Sequence, residues 1–165
     1  MINSENSAMP TKDLHQSNPV KIVLAEDDND DQEFFIEALN AAKIPSEVTT
    51  VENGKELVDI LNDEAALKPD IIFIDINMPV KSGKQALAEI KSDQELKAIP
   101  AIMLSTSNHP VDIEDTFNQG ANLYIQKPNS LVGFVLILKK VFLLHWTKAL
   151  LNPVKNLFFV SEKNI

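Results

Sequence analysis

Short apolar runs alternate with longer stretches of helical period along this chain from Val20 onward. Residues 21–25 (KIVLA), 46–51 (SEVTTV), 71–75 (IIFID), 101–105 (AIMLS) and 122–126 (NLYIQ) have the length and bounding turns of strands. The IIFI and AIML runs lack the in-and-out alternation of a half-buried strand, which is the pattern of parallel strands covered by helices on both faces. Between the runs, apolar positions recur at helical spacing, predicting helices over 30–42, 54–66, 83–93, 111–119 and 131–149. Turn residues punctuate the joins: Asn53-Gly54, Pro69-Asp70, Pro79, Pro100, Gly120 and Pro128.

Five such units in succession predict an α/β fold of the flavodoxin-like kind. It is a doubly wound five-stranded parallel sheet of order 2-1-3-4-5 with helices on both faces. Residues 1–19, polar and interrupted by Pro10 and Pro19, read as a disordered N-terminal arm, 20–150 as the folded domain and 151–165 as a C-terminal tail. The fifth helix carries more apolar residues than one buried face needs. Leu131, Val132, Phe134, Val135, Leu136, Ile137, Leu138, Val141, Phe142, Leu143 and Leu144 all fall in it. Two readings follow: a deeply buried helix, whose outer face Phe158, Phe159 and Val160 could cover, or a dimer seam.

Charge and composition narrow the partners. With 24 acidic against 15 basic residues and a formal net charge of −9, the chain gives no electrostatic support to nucleic-acid binding. It has no cysteine, which removes thiol nucleophiles and thiolate metal sites. The N-terminus has no apolar core of the kind a secretory signal carries. The greasiest stretch, 131–151, is broken by Lys139, Lys140, His145 and Lys148, leaving less than the roughly 20 residues that span a bilayer. A cytoplasmic protein without a membrane segment is the expectation.

In a sheet of this order the ligand lies outside the carboxyl ends of the strands, where strands 1 and 3 diverge. Strand 1 ends in Glu26-Asp27-Asp28, strand 3 in Asp75, strand 4 in Ser105-Thr106, and strand 5 runs into Lys127-Pro128. Carboxylates brought within about 4 Å of one another repel by roughly 4 kcal/mol per pair at an effective dielectric of 20. A cation among them is therefore required, and all-oxygen ligands favour a hard ion such as Mg²⁺. Asp75 beside that ion is placed to attack phosphorus and form an acyl phosphate. Ser105 and Lys127 offer a hydroxyl and an ammonium to phosphoryl oxygens. Asp28, Asp30 and Asp31 read as helix-start and solvated charges. His15, His109 and His145 have no partners at ligand spacing.

These residues resemble the receiver domains of two-component response regulators over roughly residues 20–149. The likeness is carried by the acidic pair Glu26-Asp27, the DINMPVKSG segment with Asp75, Pro79 and Gly83, the Ser105 hydroxyl and the Lys127-Pro128 pair. The intervals of 30 residues from Asp75 to Ser105 and 22 from Ser105 to Lys127 fit the same pattern. The resemblance implies Mg²⁺ held by Asp27, Asp75 and the Asn77 backbone carbonyl, with Glu26 acting through water. It further implies a cis peptide before Pro128, Ser105 and Tyr124 as paired switch residues, and hydrolysis tuned from Asn77 and Ser107.

The implied function is a phosphoacceptor switch, slow to dephosphorylate itself, charged at Asp75 by a sensor histidine kinase or phosphotransfer protein. With little chain after the fifth helix, the resemblance points to the single-domain class. Within it, the likeness extends to the small regulators paired with bacterial phytochromes. A homodimer through helix 5, or through the face of helix 4, strand 5 and helix 5, is compatible with it. Two alternatives remain on the residues alone: a pseudo-receiver that works without phosphorylation, and a Mg²⁺-dependent aspartyl phosphatase. The intact acidic site argues against the first, and Asn77 in place of a second Asp argues against the other.

Overall fold

The computed structural model describes residues 18–66, 68–144 and 154–165. All but two positions of the expected arm, the last five residues of the expected fifth helix, His15 and His145 lie outside the described residues. The elements are β1 (Val20–Ala25), α1 (Asn29–Ala41), β2 (Ser46–Val51), α2 (Gly54–Asn62), β3 (Ile71–Asp75), α3 (Gly83–Ser92), β4 (Ala101–Ser105), α4 (Pro110–Asn118), β5 (Leu123–Gln126), α5 (Leu131–Leu144) and β6 (Phe159–Val160). They form one parallel sheet of order β2-β1-β3-β4-β5-β6.

Side chains alternate across each strand, so the unbroken apolar runs feed two cores at once. Ile22, Leu24, Ile71, Phe73, Ile102 and Leu104 point to the side covered by α1 and α5, where they meet Phe35, Phe134 and Phe142. Val23, Ala25, Ile72, Ile74 and Met103 point to the other side, against Leu57, Leu87 and Ile90 of α2 and α3. Helix starts follow from side-chain caps on orphan backbone N–H groups. Asp28 accepts from the Asp31 amide, Asn53 from the Glu56 amide, and Ser82 with Gln85 closes a reciprocal capping box.

The sheet has one strand more than expected. Phe159–Val160, read from sequence as tail, pair in parallel with Tyr124 and Ile125 at the outer edge of β5, and the Tyr124 amide donates to Phe158 O at 2.9 Å. Phe158 is fully buried, edge-on to Phe117 of α4 at 5.1 Å between ring centroids. Glu162 then reaches the start of α5, accepting hydrogen bonds from the Ser130 amide and hydroxyl. A β-carbon on Gly133 would fall 1.8 Å from Glu162 Oε1, so only glycine lets the carboxylate lie against that first turn.

The same placement resolves the fifth helix. Phe134, Ile137, Leu138, Val141 and Phe142 are buried, whereas Val132, Leu136 and Leu143 stay exposed on the opposite face. Phe158, Phe159 and Val160 go to the sheet edge and leave that exposed stripe open.

Candidate functional site

The carboxyl ends of β1, β3, β4 and β5 converge on one cleft. β1 and β3 are neighbours, with Ala25 beside Ile74, so the residues that follow each strand, Glu26 and Asp27 after β1 and Asp75 ending β3, are set side by side. Carboxylate oxygens of Glu26, Asp27 and Asp75 all lie within 4.8 Å of one another. Glu26 and Asp75 are buried, 2% and 6% exposed, and Asp27 sits at the open mouth. A buried oxygen-only trio with one solvent-facing member is a donor set that fits a hard divalent cation keeping some of its water.

Backbone groups hold the acids in place. The Asp28 amide donates to Glu26 Oε1 at 3.1 Å, and the Asn77 amide to Asp75 Oδ1 at 3.1 Å. Gly83 fixes the loop beyond Asp75: its amide donates to Ile76 O at 2.9 Å, and a β-carbon there would lie 2.1 Å from Asp75 O. Any side chain at position 83 would drive α3 off the end of β3. Pro79 is exposed on this loop and Asn77 stands at its mouth.

Lys127 closes the cleft from β5. Its Nζ donates to Glu26 Oε2 at 2.6 Å, Asp31 Oδ2 at 2.8 Å and Asp75 Oδ2 at 3.0 Å, which uses all three ammonium protons. Burial by itself pushes the ammonium pKa down, but the hydrogen bonds to Asp31 and Glu26 and the charge of Asp75 outweigh it and hold the group above its ordinary value. The peptide before Pro128, expected to be cis, is trans, as there is no cis bond among the described residues. The trans isomer is the intrinsically favoured one by about 0.5–1 kcal/mol. With the Lys127 amide on Ser105 O at 2.7 Å, the side chain reaches all three carboxylates from that isomer.

Ser105, 1% exposed, ends β4 next to Asp75 on β3, and its Oγ accepts from the Ser107 amide at 3.1 Å. Tyr124 is buried with its ring turned inward between α4 and β6. Its hydroxyl donates to Ser107 O at 2.9 Å, and Phe159 lies 5.9 Å from the ring. The two residues expected to move together are thus joined through Ser107.

Asp31 is the site residue that sequence reasoning missed. Taken as a solvated helix-start charge, it instead shares Lys127 with the two buried acids. The signal was present: Asp31, Phe34, Phe35 and Ala38 stand at the i, i+3, i+4, i+7 spacing of one helix face, and that face packs inward.

Burial raises the Glu26 carboxyl to about 7, more than Lys127 lowers it. Below pH 7 a proton competes for Glu26, so apparent divalent-ion affinity falls by up to about tenfold per pH unit as pH drops from 7 toward the ordinary carboxylate range. Calorimetric titration at successive pH values measures it, and a flat profile between pH 5 and pH 8 would contradict the burial of Glu26.

Comparison with known proteins agrees with this geometry. Residues 22–138 match the family model of the response regulator receiver domain. The chain is 32% identical over 121 residues to response regulator Rcp1 of Synechocystis sp., covering 70% of this chain and 82% of that one. It is 29% identical over 121 residues to the polar-differentiation response regulator DivK of Brucella anthropi, covering 73% and 94%. Among solved structures, the phosphorylated cyanobacterial phytochrome response regulator RcpA superposes with a TM-score of 0.72 at 38% identity, over 80% of this chain and 97% of that one. The Mn²⁺-bound form of Rcp1 superposes with a TM-score of 0.69 at 28% identity, over 82% and 97%. An acidic trio at the β1–β3 switch point, a lysine from β5 and a match that runs from β1 into α5 place this chain in the response regulator receiver family, whose members are phosphoacceptor switches and not classical enzymes.

Proposed function

We propose that this protein accepts a phosphoryl group on Asp75 from a histidine kinase or phosphotransfer protein, and that the charged state is read by a protein partner. The observation that carries this reading is the convergence of Asp75 with Glu26, Asp27 and Lys127 at one strand-end cleft. Asp27, Asp75, the Asn77 carbonyl and, through water, Glu26 are the residues that would hold Mg²⁺, which supplies charge neutralisation for a phosphoryl group in transfer. The Asp75 carboxylate attacks phosphorus, the phosphohistidine nitrogen leaves, and a mixed anhydride forms. Lys127 turns a donor from the carboxylates to a phosphoryl oxygen, and the Ser105 hydroxyl donates to another.

The new charge favours the conformation in which Ser105 and Lys127 serve it, so phosphorylation shifts a population between two states. Ser105 moving toward the phosphoryl group pulls on Ser107 and, through it, on Tyr124. Water resets the switch slowly, at a rate tuned by Asn77 and Ser107 beside the cleft. Among the described residues no helix is long and apolar enough to cross a membrane; a cytoplasmic address is part of the proposed reading, as the compartment of the kinase or phosphotransfer protein that would charge Asp75. The net charge of −9 disfavours direct nucleic-acid contact. A second copy of the chain fits the exposed α5 stripe of Val132, Leu136 and Leu143. Sedimentation tests this: the wild type should dimerise, and an unchanged mass on Leu136→Glu would refute that seam.

The phosphoacceptor reading is tested by incubating the protein with acetyl phosphate and Mg²⁺ and measuring intact mass. One phosphoryl adduct is expected on the wild type, prevented when the metal is chelated beforehand and absent from Asp75→Asn. No adduct on the wild type would sink the reading.

A further inference from the structure

Three carboxylates share the Lys127 ammonium, and they are not equivalent. Glu26 and Asp75 belong to the trio that can hold a metal ion; Asp31, on α1, does not. Glu26 and Asp75 are nearly inaccessible, whereas the Asp31 side chain is 44% exposed and draws Nζ toward the mouth of the cleft. The Asp31 backbone is itself anchored, since its amide donates to the Asp28 cap at 3.0 Å. The carboxylate that meets Lys127 thus extends from a fixed point of the first helical turn.

We infer that Asp31 is a positioning residue for phosphoryl transfer: it receives the Lys127 ammonium when the metal ion and the phosphoryl group claim Glu26 and Asp75. The inference rests on the metal-assisted reading of the cleft given above. A divalent cation entering the trio and the Lys127 ammonium compete for the same two buried carboxylates, and two cations a few ångströms apart repel. Among the described residues, Asp31 is the one partner of Lys127 outside that contest. With it present, the ammonium withdraws from the metal ligands without losing a counter-ion, and it stays over the cleft with two protons free to turn to phosphoryl oxygens. Without it, Lys127 can be neutralised only by remaining on Glu26 and Asp75, so the metal must displace an ammonium that has nowhere to go.

This separates Asp31 from a charge that merely adds to the negative field of the cleft. A field effect on Mg²⁺ is independent of Lys127, whereas a receiving role vanishes when there is no ammonium to receive. The experiment is a double-mutant cycle on Mg²⁺ affinity, measured by calorimetry on the full chain at pH 8 with Asp31→Asn, Lys127→Met and the pair. Asp31→Asn is expected to weaken Mg²⁺ binding about tenfold in the wild-type background, the low end for outer partners of metal sites because Asp31 is half-exposed. In the Lys127→Met background the same substitution is expected to cost about twofold or less, the remainder a screened field effect. Asp31→Glu, which keeps the charge on a longer arm, is expected to recover most of the affinity.

Equal losses in both backgrounds, no loss in the wild type, or a gain would each overturn the assignment. Absence of Mg²⁺ binding by the wild type would instead sink the metal-assisted reading itself, and the inference with it. A parallel acetyl phosphate time course gives the second readout. Asp31→Asn is expected to phosphorylate more slowly at saturating Mg²⁺ as well, because Lys127 stays on Asp75. An unchanged rate there would contradict the receiving role even if the affinity falls.

Discussion

Lys127→Met is expected to lower unfolding stability by about 2–3 kcal/mol in metal-free buffer and to regain most of it when Mg²⁺ is added. Removing the cationic partner of a buried ion pair costs about 3–5 kcal/mol because the remaining charge is left uncompensated. The value here is set lower because Glu26, already raised to about 7 by burial, takes up a proton when Lys127 is gone, and because Lys127 is 14% exposed with one of its three partners half in water. Glu26 and Asp75, 2% and 9% exposed at the side chain, are the acids left facing each other. A divalent ion bound by the same carboxylates replaces the missing charge and stabilises the native state in proportion to its occupancy. Urea unfolding with and without Mg²⁺ measures both terms. A variant as stable as the wild type without metal, or one that Mg²⁺ does not stabilise, would show that Lys127 is not the counter-ion of this cluster. Phosphoryl transfer to the same variant should fall by about a hundredfold or more, the usual consequence of losing a preorganised charge at a reacting oxyanion.

Phe158→Ala should destabilise the domain by about 3–5 kcal/mol, the range for truncating a fully buried phenylalanine. The ring lies in one core with Met103, Tyr124 and Phe117, and the chain around it closes the β5 edge through the Tyr124 amide. The loss should appear as a lower urea midpoint with a single cooperative transition, since the segment packs into the same core as β3 and β4. A cost below about 1 kcal/mol, or a separate early transition confined to the C-terminal residues, would mean that β6 is an appendage and not part of the folded domain.

The strand at stake in that experiment is also where sequence reading stopped. β3 and β4 were legible because a parallel strand buried on both faces must be apolar at every position, and IIFI and AIML are. β2 was legible for the opposite reason, as SEVTTV is a β-branched edge strand with exposed alternate positions. β6 has two residues, too few for any period to show. Its partner, β5, ends at Gln126, so all of α5 and 18 further positions separate the two. What places it is a tertiary fit of Phe158 and Glu162 that no local pattern encodes.

The cleft divides in the same way. Glu26, Asp75, Ser105 and Lys127 were legible because strand ends in a doubly wound sheet must meet, and their residue types are complementary. Asp31 was not, because an acid in the first helical turn has a sufficient local explanation in the helix dipole. Only the helix face it shares with Phe34, Phe35 and Ala38 distinguishes it. The peptide before Pro128 departs from the family expectation: it is in the intrinsically favoured trans form, and the Lys127 side chain reaches its carboxylates from it.

Asp75 is the residue proposed to carry the phosphoryl group, and borohydride reduction tests that at the level of the bond. An aspartyl phosphate is a mixed anhydride, which borohydride reduces to the alcohol, so the phosphorylated residue becomes homoserine and the phosphate is released. Peptide mass spectrometry after treatment with acetyl phosphate, Mg²⁺ and borohydride is expected to find homoserine at position 75, and at no other acidic position of the cleft. Homoserine at position 27 or 31 with position 75 unmodified, or a phosphoryl group on Ser105 that resists reduction, would contradict the account.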